Sequence, residues 1–248
     1  MSFLTIEDVS YSYQGKKPVI DKVNWKIEKG EFHCLLGKSG CGKTTLLKLA
    51  AGLLHSDNGR IILQGSEVEK PSPECGFVFQ SPTLLEWKSV IDNVLLPVTL
   101  KRKRTKEDWN QAMELLELVG LSDYHDRYPS ELSGGQQSRV AIARALVQKP
   151  SLLFLDEPFA ALDAITREEL QDDLLRLCSL HNTTVLFITH DLSEAVYLGD
   201  VVAVMEKGEI VFQSRVELER PRTMRMRYDP YFNELCLTLR QVMGGERV

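Results

Sequence analysis

The chain has 248 residues, of which 43% are hydrophobic and 26% are charged. This composition predicts a globular protein with a full hydrophobic core and argues against a disordered chain. The formal net charge of −5 argues against broad electrostatic binding of nucleic acid, so we expect no nucleic acid partner and only local phosphate binding.

Hydrophobic periodicity predicts a mixed α/β fold. Apolar, β-branched runs predict strands near 4–9, 20–27, 32–36, 61–63, 76–79, 152–155, 184–189, 201–205 and 209–212. Helical periodicity fits 43–54, 109–119, 136–148, 166–180 and 193–198. The runs at 152–155 and 185–188 are continuously apolar, as in parallel strands buried on both faces, whereas the first 35 residues alternate and indicate antiparallel strands.

Helical signals replace strand signals between about 82 and 150. We therefore expect a single domain over 1–248 whose α/β core has a mainly parallel sheet, an N-terminal antiparallel β subdomain and an inserted α-helical subdomain. The expected core lobe comprises 1–81 and 151–213, and the expected helical subdomain comprises 82–150. The expected tail, 214–248, has one short amphipathic helix.

The segment Gly37-Lys38-Ser39-Gly40-Cys41-Gly42-Lys43-Thr44 matches the phosphate-loop pattern. Its glycines let backbone N–H groups turn inward around a polyphosphate, Lys43 supplies a positive charge, and Thr44 offers a hydroxyl to Mg²⁺. A predicted strand precedes the segment and a predicted helix follows it. This strand–loop–helix context predicts a P-loop NTPase core.

The segment Leu132-Ser133-Gly134-Gly135-Gln136 predicts a second helix start that faces an anion. Ser133 can cap the following helix, and Gln136 stands three residues later, as in a capping box. Gly134 and Gly135 leave the first-turn N–H groups and the positive end of the helix dipole open to an anion.

Polar side chains end three predicted strands: Gln80, the pair Asp156-Glu157, and His190. Ligands of open α/β sheets gather at the carboxyl ends of strands, so we expect these residues to converge with the phosphate loop. There Asp156 can hold Mg²⁺ through water, Glu157 can orient and deprotonate an attacking water, and His190 can hydrogen-bond a γ-phosphate.

Together these motifs resemble the ATP-binding cassette (ABC) ATPases over nearly the whole chain. The resemblance implies ATP and Mg²⁺ as cofactors, with Tyr13 stacking on adenine, although Tyr11 competes for that role. It implies Glu157 as catalytic base, His190 as switch histidine, and Gln80 as sensor of Mg²⁺ and water. The implied metal-binding residues are Thr44, Gln80 and Asp156. The implied nucleotide-binding residues are Tyr13, Gly37, Lys38, Ser39, Gly40, Cys41, Gly42, Lys43, Thr44, Thr45, Ser133, Gly134, Gly135, Gln136 and Asp163.

The resemblance further implies a head-to-tail dimer, most simply a homodimer, in which Ser133, Gly135 and Gln136 contact ATP held by the other subunit. It implies membrane-spanning permease subunits that dock near Gln80–Trp87, and indirectly an extracytoplasmic substrate-binding protein. No stretch of the sequence is long and apolar enough to span a bilayer, and the first residues lack signal-peptide features. We therefore expect a peripheral protein at the cytoplasmic face of the membrane.

The segment Gln80–Trp87, with Asn93-Val94, resembles the importer group for nitrate, sulfonates, taurine and pyrimidine precursors, although Glu86 stands where proline is usual. The tail segment Asp229–Phe232 also resembles that group. An exporter motor stays open. A nucleic-acid or ribosome clamp of the same family is the other alternative, although the chain has neither a coiled-coil insertion nor a second cassette.

The basic run at 101–106 is interpreted as solvated, at a helix start formed by Thr105 and Asp108. The basic run at 220–227 is also interpreted as solvated, with contact to anionic lipid or phosphate as its alternative. The five cysteines are an odd number without metal-ligand spacing, which favours reduced thiols. Cys41 differs from the other four because it lies within the phosphate loop.

Overall fold

A computed structural model describes residues 2–15 and 17–244 of the chain. In chain order the strands are β1 Leu4–Tyr11, β2 Ile20–Ile27, β3 Phe32–Leu36, β4 Asn58–Leu63, β5 Ser66–Glu67, β6 Cys75–Val78, β7 Leu152–Asp156, β8 Thr184–Ile188, β9 Val201–Glu206 and β10 Glu209–Arg215. The helices are α1 Lys43–Ala50, α2 Val90–Val94, α3 Leu96–Thr99, α4 Lys106–Leu118, α5 Gly134–Leu146, α6 Ala164–His181, α7 Leu192–Leu198 and α8 Pro230–Gly244. The predicted mixed α/β character is confirmed.

The chain forms two compact units, one made of Met1–Ser72 with Asn182–Val248 and the other of Pro73–His181. The predicted lobe boundaries at 82, 150 and 214 stay a prediction. In the first unit an antiparallel sheet has the order β2-β1-β4-β5. In the same unit β3 lies between β8 and β9, parallel to both, and β10 pairs antiparallel with β9. Every residue of β8 is buried, as predicted for a parallel strand covered on both faces. The prediction of antiparallel strands in the first 35 residues is wrong for β3, which is fully buried and runs parallel to both of its neighbours.

The second unit contains the parallel pair β6 and β7 together with helices α2 to α6. Helix α4 begins at Lys106, earlier than its hydrophobic period indicates, because Thr105 and Asp108 form a capping box. The short helices α2 and α3 were not predicted, since segments of five and four residues show no period. Among the described residues, no helix is long and apolar enough to cross a membrane.

The interpretation of the tail as solvated is wrong for Arg222, whereas Arg220 is exposed. Arg222 is only 9% exposed, and its Nη2 donates to the carbonyl oxygen of Gly199 at 2.9 Å. Arg220 Nε donates to Asp200 Oδ1 at 2.8 Å, and Asp200 Oδ2 accepts from the backbone N–H of Phe32 at 2.8 Å. The tail is therefore tied to the first residue of β3 through one carboxylate.

Candidate functional site

The phosphate loop connects β3 to α1 in the first unit. Lys43 is 6% exposed, and its Nζ donates to the carbonyl oxygens of Gly37 at 2.7 Å and Lys38 at 3.1 Å. The ammonium group therefore lies inside the curve of the loop, next to the N–H groups at the start of α1. Such a concave arrangement of donors and positive charge suits a polyphosphate.

Two glycines of the loop are required by their surroundings. A Cβ at Gly37 would lie 2.6 Å from both Met205 O and Cys41 Sγ. Gly42 caps α1 with φ at +113°, and a Cβ there would lie 2.7 Å from Val19 O. The loop thus keeps its shape only without side chains at these two positions.

Tyr13 lies two residues beyond the end of β1, which stops at Tyr11. It begins a short 3₁₀ turn over Tyr13–Gly15 whose central residue, Gln14, has φ at +53°. The Tyr13 side chain is partly exposed, and its hydroxyl lies 3.3 Å from Thr45 Oγ1 in the first turn of α1. The aromatic ring therefore lies beside the phosphate loop, and its adenine-stacking role stays a prediction.

His190 is exposed in the turn between β8 and α7. The neighbouring Thr189 is buried, donates from Oγ1 to Glu194 Oε2 at 2.6 Å and accepts from the N–H of Asp191 at 3.0 Å. Asp191 in turn caps α7 by accepting from the N–H groups of Ser193 and Glu194. This fixed turn positions His190, and Thr189 is a contributor that we did not predict.

Within each unit, the strand-end residues lie at a common sheet edge. In the first unit Leu35 of β3 is in register with Ile188 of β8, so the phosphate loop and His190 leave the sheet at the same end. In the second unit Val78 of β6 is in register with Leu155 of β7, so Gln80 and the Asp156-Glu157 pair also leave together.

Asp156 and Glu157 differ sharply in their environments. Asp156 ends β7 and is 3% exposed, whereas Glu157 is partly exposed with φ at +47°. A left-handed conformation costs a non-glycine residue about 1–3 kcal/mol, and such strain is concentrated at functional sites. The strained backbone directs consecutive carboxylates to different surroundings, which suits two different roles.

The predicted capping box at the start of α5 is confirmed. Ser133 N–H donates to Gln136 Oε1 at 2.8 Å, and Gln136 N–H donates to Ser133 Oγ at 3.3 Å. A Cβ at Gly135 would lie 3.1 Å from Leu162, whereas nothing lies within 4 Å of one at Gly134. The helix start therefore packs on its own unit at Gly135 and is open at Gly134.

Asp163 is exposed and caps the start of α6, where its Oδ1 accepts from the N–H of Thr166 at 3.0 Å. Hydrogen bonds from Thr166 lower the pKa of the Asp163 carboxyl. Its implied nucleotide-binding role stays a prediction.

The oxygen donors of this chain fit Mg²⁺ bound together with a nucleotide. Mg²⁺ usually keeps several waters and takes one or two carboxylates plus substrate phosphates. The Thr44 hydroxyl in the first unit, and the Gln80 amide and Asp156 carboxylate in the second, each offer a hard oxygen donor of that type, and their role as metal ligands stays a prediction. Among the described residues, no cluster of three or more His, Cys, Asp or Glu side chains could hold a metal.

Comparison with known proteins identifies the family. The family described as ABC transporter matches residues 20–160. This chain belongs to the ABC transporter ATPase family. It binds ATP and is an ATPase, and the predicted P-loop NTPase fold is confirmed. The ABC cassette MJ0796, solved as a dimer in a post-hydrolysis state bound to ADP and Pi, superposes with a TM-score of 0.80 at 29% identity, over 87% of this chain and 100% of that one.

Two curated relatives show the same similarity in sequence. The aliphatic sulfonates import ATP-binding protein SsuB of Bacillus anthracis is 42% identical over 227 residues, covering 89% of each chain. The bicarbonate transport ATP-binding protein CmpD of Synechococcus elongatus is 41% identical over 242 residues, covering 94% of this chain and 87% of the relative. The predicted resemblance to an ABC transporter ATPase of the nitrate and sulfonate group is therefore confirmed.

Alkylation of Cys41 tests the assignment of the phosphate loop. The thiol is partly exposed and crowds Gly37, so an added group would obstruct the loop and block nucleotide binding. We expect alkylation to abolish ATP binding, prior addition of ATP to protect, and a Cys41→Ser variant to be insensitive to the reagent. Full ATPase activity after stoichiometric modification of Cys41, measured by mass spectrometry, would contradict this.

Proposed function

We propose that this chain is the ATP-hydrolysing motor subunit of an ABC importer for a small anion or related solute. The observation that carries the proposal is the similarity to import proteins over nine-tenths of the chain: a relative named for aliphatic sulfonates at 42% identity and one named for bicarbonate at 41%. The solute classes that fit are nitrate, a sulfonate, taurine or a pyrimidine precursor, and the bicarbonate relative adds a further small anion. An exporter motor and a nucleic-acid or ribosome clamp are the alternatives.

In the proposed reaction the phosphate loop and Lys43 bind the β- and γ-phosphates of ATP. Thr44, Gln80 and Asp156 would hold Mg²⁺, which neutralises developing phosphate charge when bound. Glu157 accepts the proton of the attacking water, and His190 hydrogen-bonds the γ-phosphate. The buried Asp156 and the strained, more exposed Glu157 support this division of roles.

We further propose that two copies form a head-to-tail dimer around ATP. The open space at Gly134 and the dimeric state of the similar MJ0796 cassette support this arrangement. Separate permease subunits, docked at Gln80–Trp87, would place the chain at the cytoplasmic face of the membrane, with an extracytoplasmic binding protein acting through them.

Glu157→Gln tests the catalytic role. The amide keeps the size of the side chain but cannot accept a proton, so ATP binding should persist while turnover falls about 100-fold or more. Size-exclusion chromatography should then show a dimer that depends on ATP. Glu117→Gln, at an exposed carboxylate on α4 of the same unit, is the matched control for exchanging a carboxylate for an amide. A normal turnover rate in Glu157→Gln would remove Glu157 from the role.

Transport is tested by the partners that raise ATPase activity. We expect the chain to co-purify with an untagged membrane protein and its ATPase rate to rise on addition of that permease with a solute-loaded binding protein. Matched additions of DNA and of ribosomes should leave the rate unchanged. Stimulation by DNA or ribosomes alone would favour the nucleic-acid or ribosome clamp. Stimulation by the permease without any binding protein would favour an exporter.

A further inference from the structure

The loop over residues 81–89, between β6 and α2 of the second unit, is held by a guanidinium at one end. Arg144, near the end of α5, donates from Nη2 to Pro82 O at 2.8 Å and from Nη1 to Thr83 O at 2.9 Å. Nη2 also lies 3.2 Å from Thr83 Oγ1. One planar side chain thus binds two consecutive carbonyl groups, a geometry that lysine cannot reproduce.

A buried amide holds the other end of the 81–89 loop. Asn93 of α2 is 0% exposed, and its Oδ1 accepts from the N–H of Leu85 at 2.8 Å. Its Nδ2 donates to the carbonyl oxygens of Leu85, Lys88 and Ser89 at 3.0–3.1 Å. Side-chain hydrogen bonds therefore hold both ends of the loop.

The 81–89 loop has a strained backbone at Thr83 and an exposed side chain at Trp87. Thr83 has φ at +48°, a left-handed conformation that is a genuine outlier for a β-branched residue. Such a conformation persists only where the surroundings over-determine it. Beyond it, Trp87 is 74% exposed, so a large apolar side chain stands on a loop that is not free to fold around it.

We propose that Arg144 and Asn93 are positioning residues that make the 81–89 loop a rigid arm and join it mechanically to α5. Arg144 lies eleven residues after Ser133 on the same helix path, roughly 16 Å along its axis. A partner that presses on Trp87 therefore displaces α5, and with it the Ser133–Gln136 capping box, as one body. The hydrogen bonds from Arg144 to Pro82 and Thr83 also set the position of Gln80, two residues before Pro82. The partner in this inference, a permease, rests on the proposed function. The hold of Arg144 and Asn93 on the 81–89 loop, called the loop clamp below, does not.

Amide hydrogen exchange tests the clamp without reference to activity. In Arg144→Lys, peptides covering 81–89 should exchange at least about tenfold faster, because the charged hydrogen bonds to two consecutive carbonyl groups are lost. Asn93→Ser should accelerate exchange of the Leu85 amide in the same way, because that N–H loses its acceptor, Asn93 Oδ1. Arg139→Lys is the matched control, since Arg139 also lies on α5 and donates to a backbone carbonyl, that of Val119 at 3.0 Å. Equal amide exchange rates of the 81–89 peptides in Arg144→Lys and Arg139→Lys would overturn the loop clamp.

Enzyme kinetics test the coupling in the complete complex with its permease. In Arg144→Lys we expect the KM for ATP to stay within about twofold while stimulation of kcat by the permease falls about tenfold or more. Arg139→Lys should keep its stimulation. Faster exchange with unchanged stimulation would overturn the coupling and leave only a structural bond. If the permease does not raise the kcat of the wild-type chain at all, the proposed function fails. The amide exchange of the 81–89 peptides then still tests the loop clamp.

Discussion

An α-helix cannot satisfy the N–H groups of its own first turn, and the chemistry of this protein depends on how two helices meet that requirement. At α1, glycines and the Lys43 ammonium shape a concave loop of donors. At α5, Ser133 and Gln136 satisfy each other reciprocally, while the open space at Gly134 leaves one side of the helix start accessible. Both starts suit an anion, and the dipole of each helix favours it.

The two starts differ in what completes them. The start of α1 is enclosed by its own unit, since Gly37 and Gly42 are pressed against Met205 and Val19. At the start of α5, Gly135 packs beside Leu162 of its own unit, whereas a Cβ at Gly134 would meet open space. A shallow, open donor surface of this kind gains affinity when a second surface supplies the rest of the site. This contrast is the physical basis for assigning the first to binding and the second to a site shared between copies.

The features that could be predicted from the sequence are those that depend on neighbours along the chain. The capping boxes at Ser133 and Thr105 each need two residues three positions apart, and both were read correctly. The clamp of Arg144 on Thr83 spans 61 positions, and the bond from Arg222 to Gly199 spans 23. No local pattern distinguishes those arginines from solvated ones. For the same reason Arg222 was misjudged as solvated.

The central claim is that one ATP is held by the phosphate loop of one chain and the Ser133 segment of another. Mixing two inactive variants tests it most directly. Lys43→Ala should abolish ATPase activity by removing the charge in the loop, and Ser133→Arg should abolish it by blocking the partner's γ-phosphate. When the two variants are mixed, they form mixed dimers. In these dimers the intact phosphate loop of the Ser133→Arg chain meets the intact Ser133 segment of the Lys43→Ala chain, so ATPase activity should return. A mixture as inactive as its components, with mixed dimers verified by mass spectrometry, would contradict it.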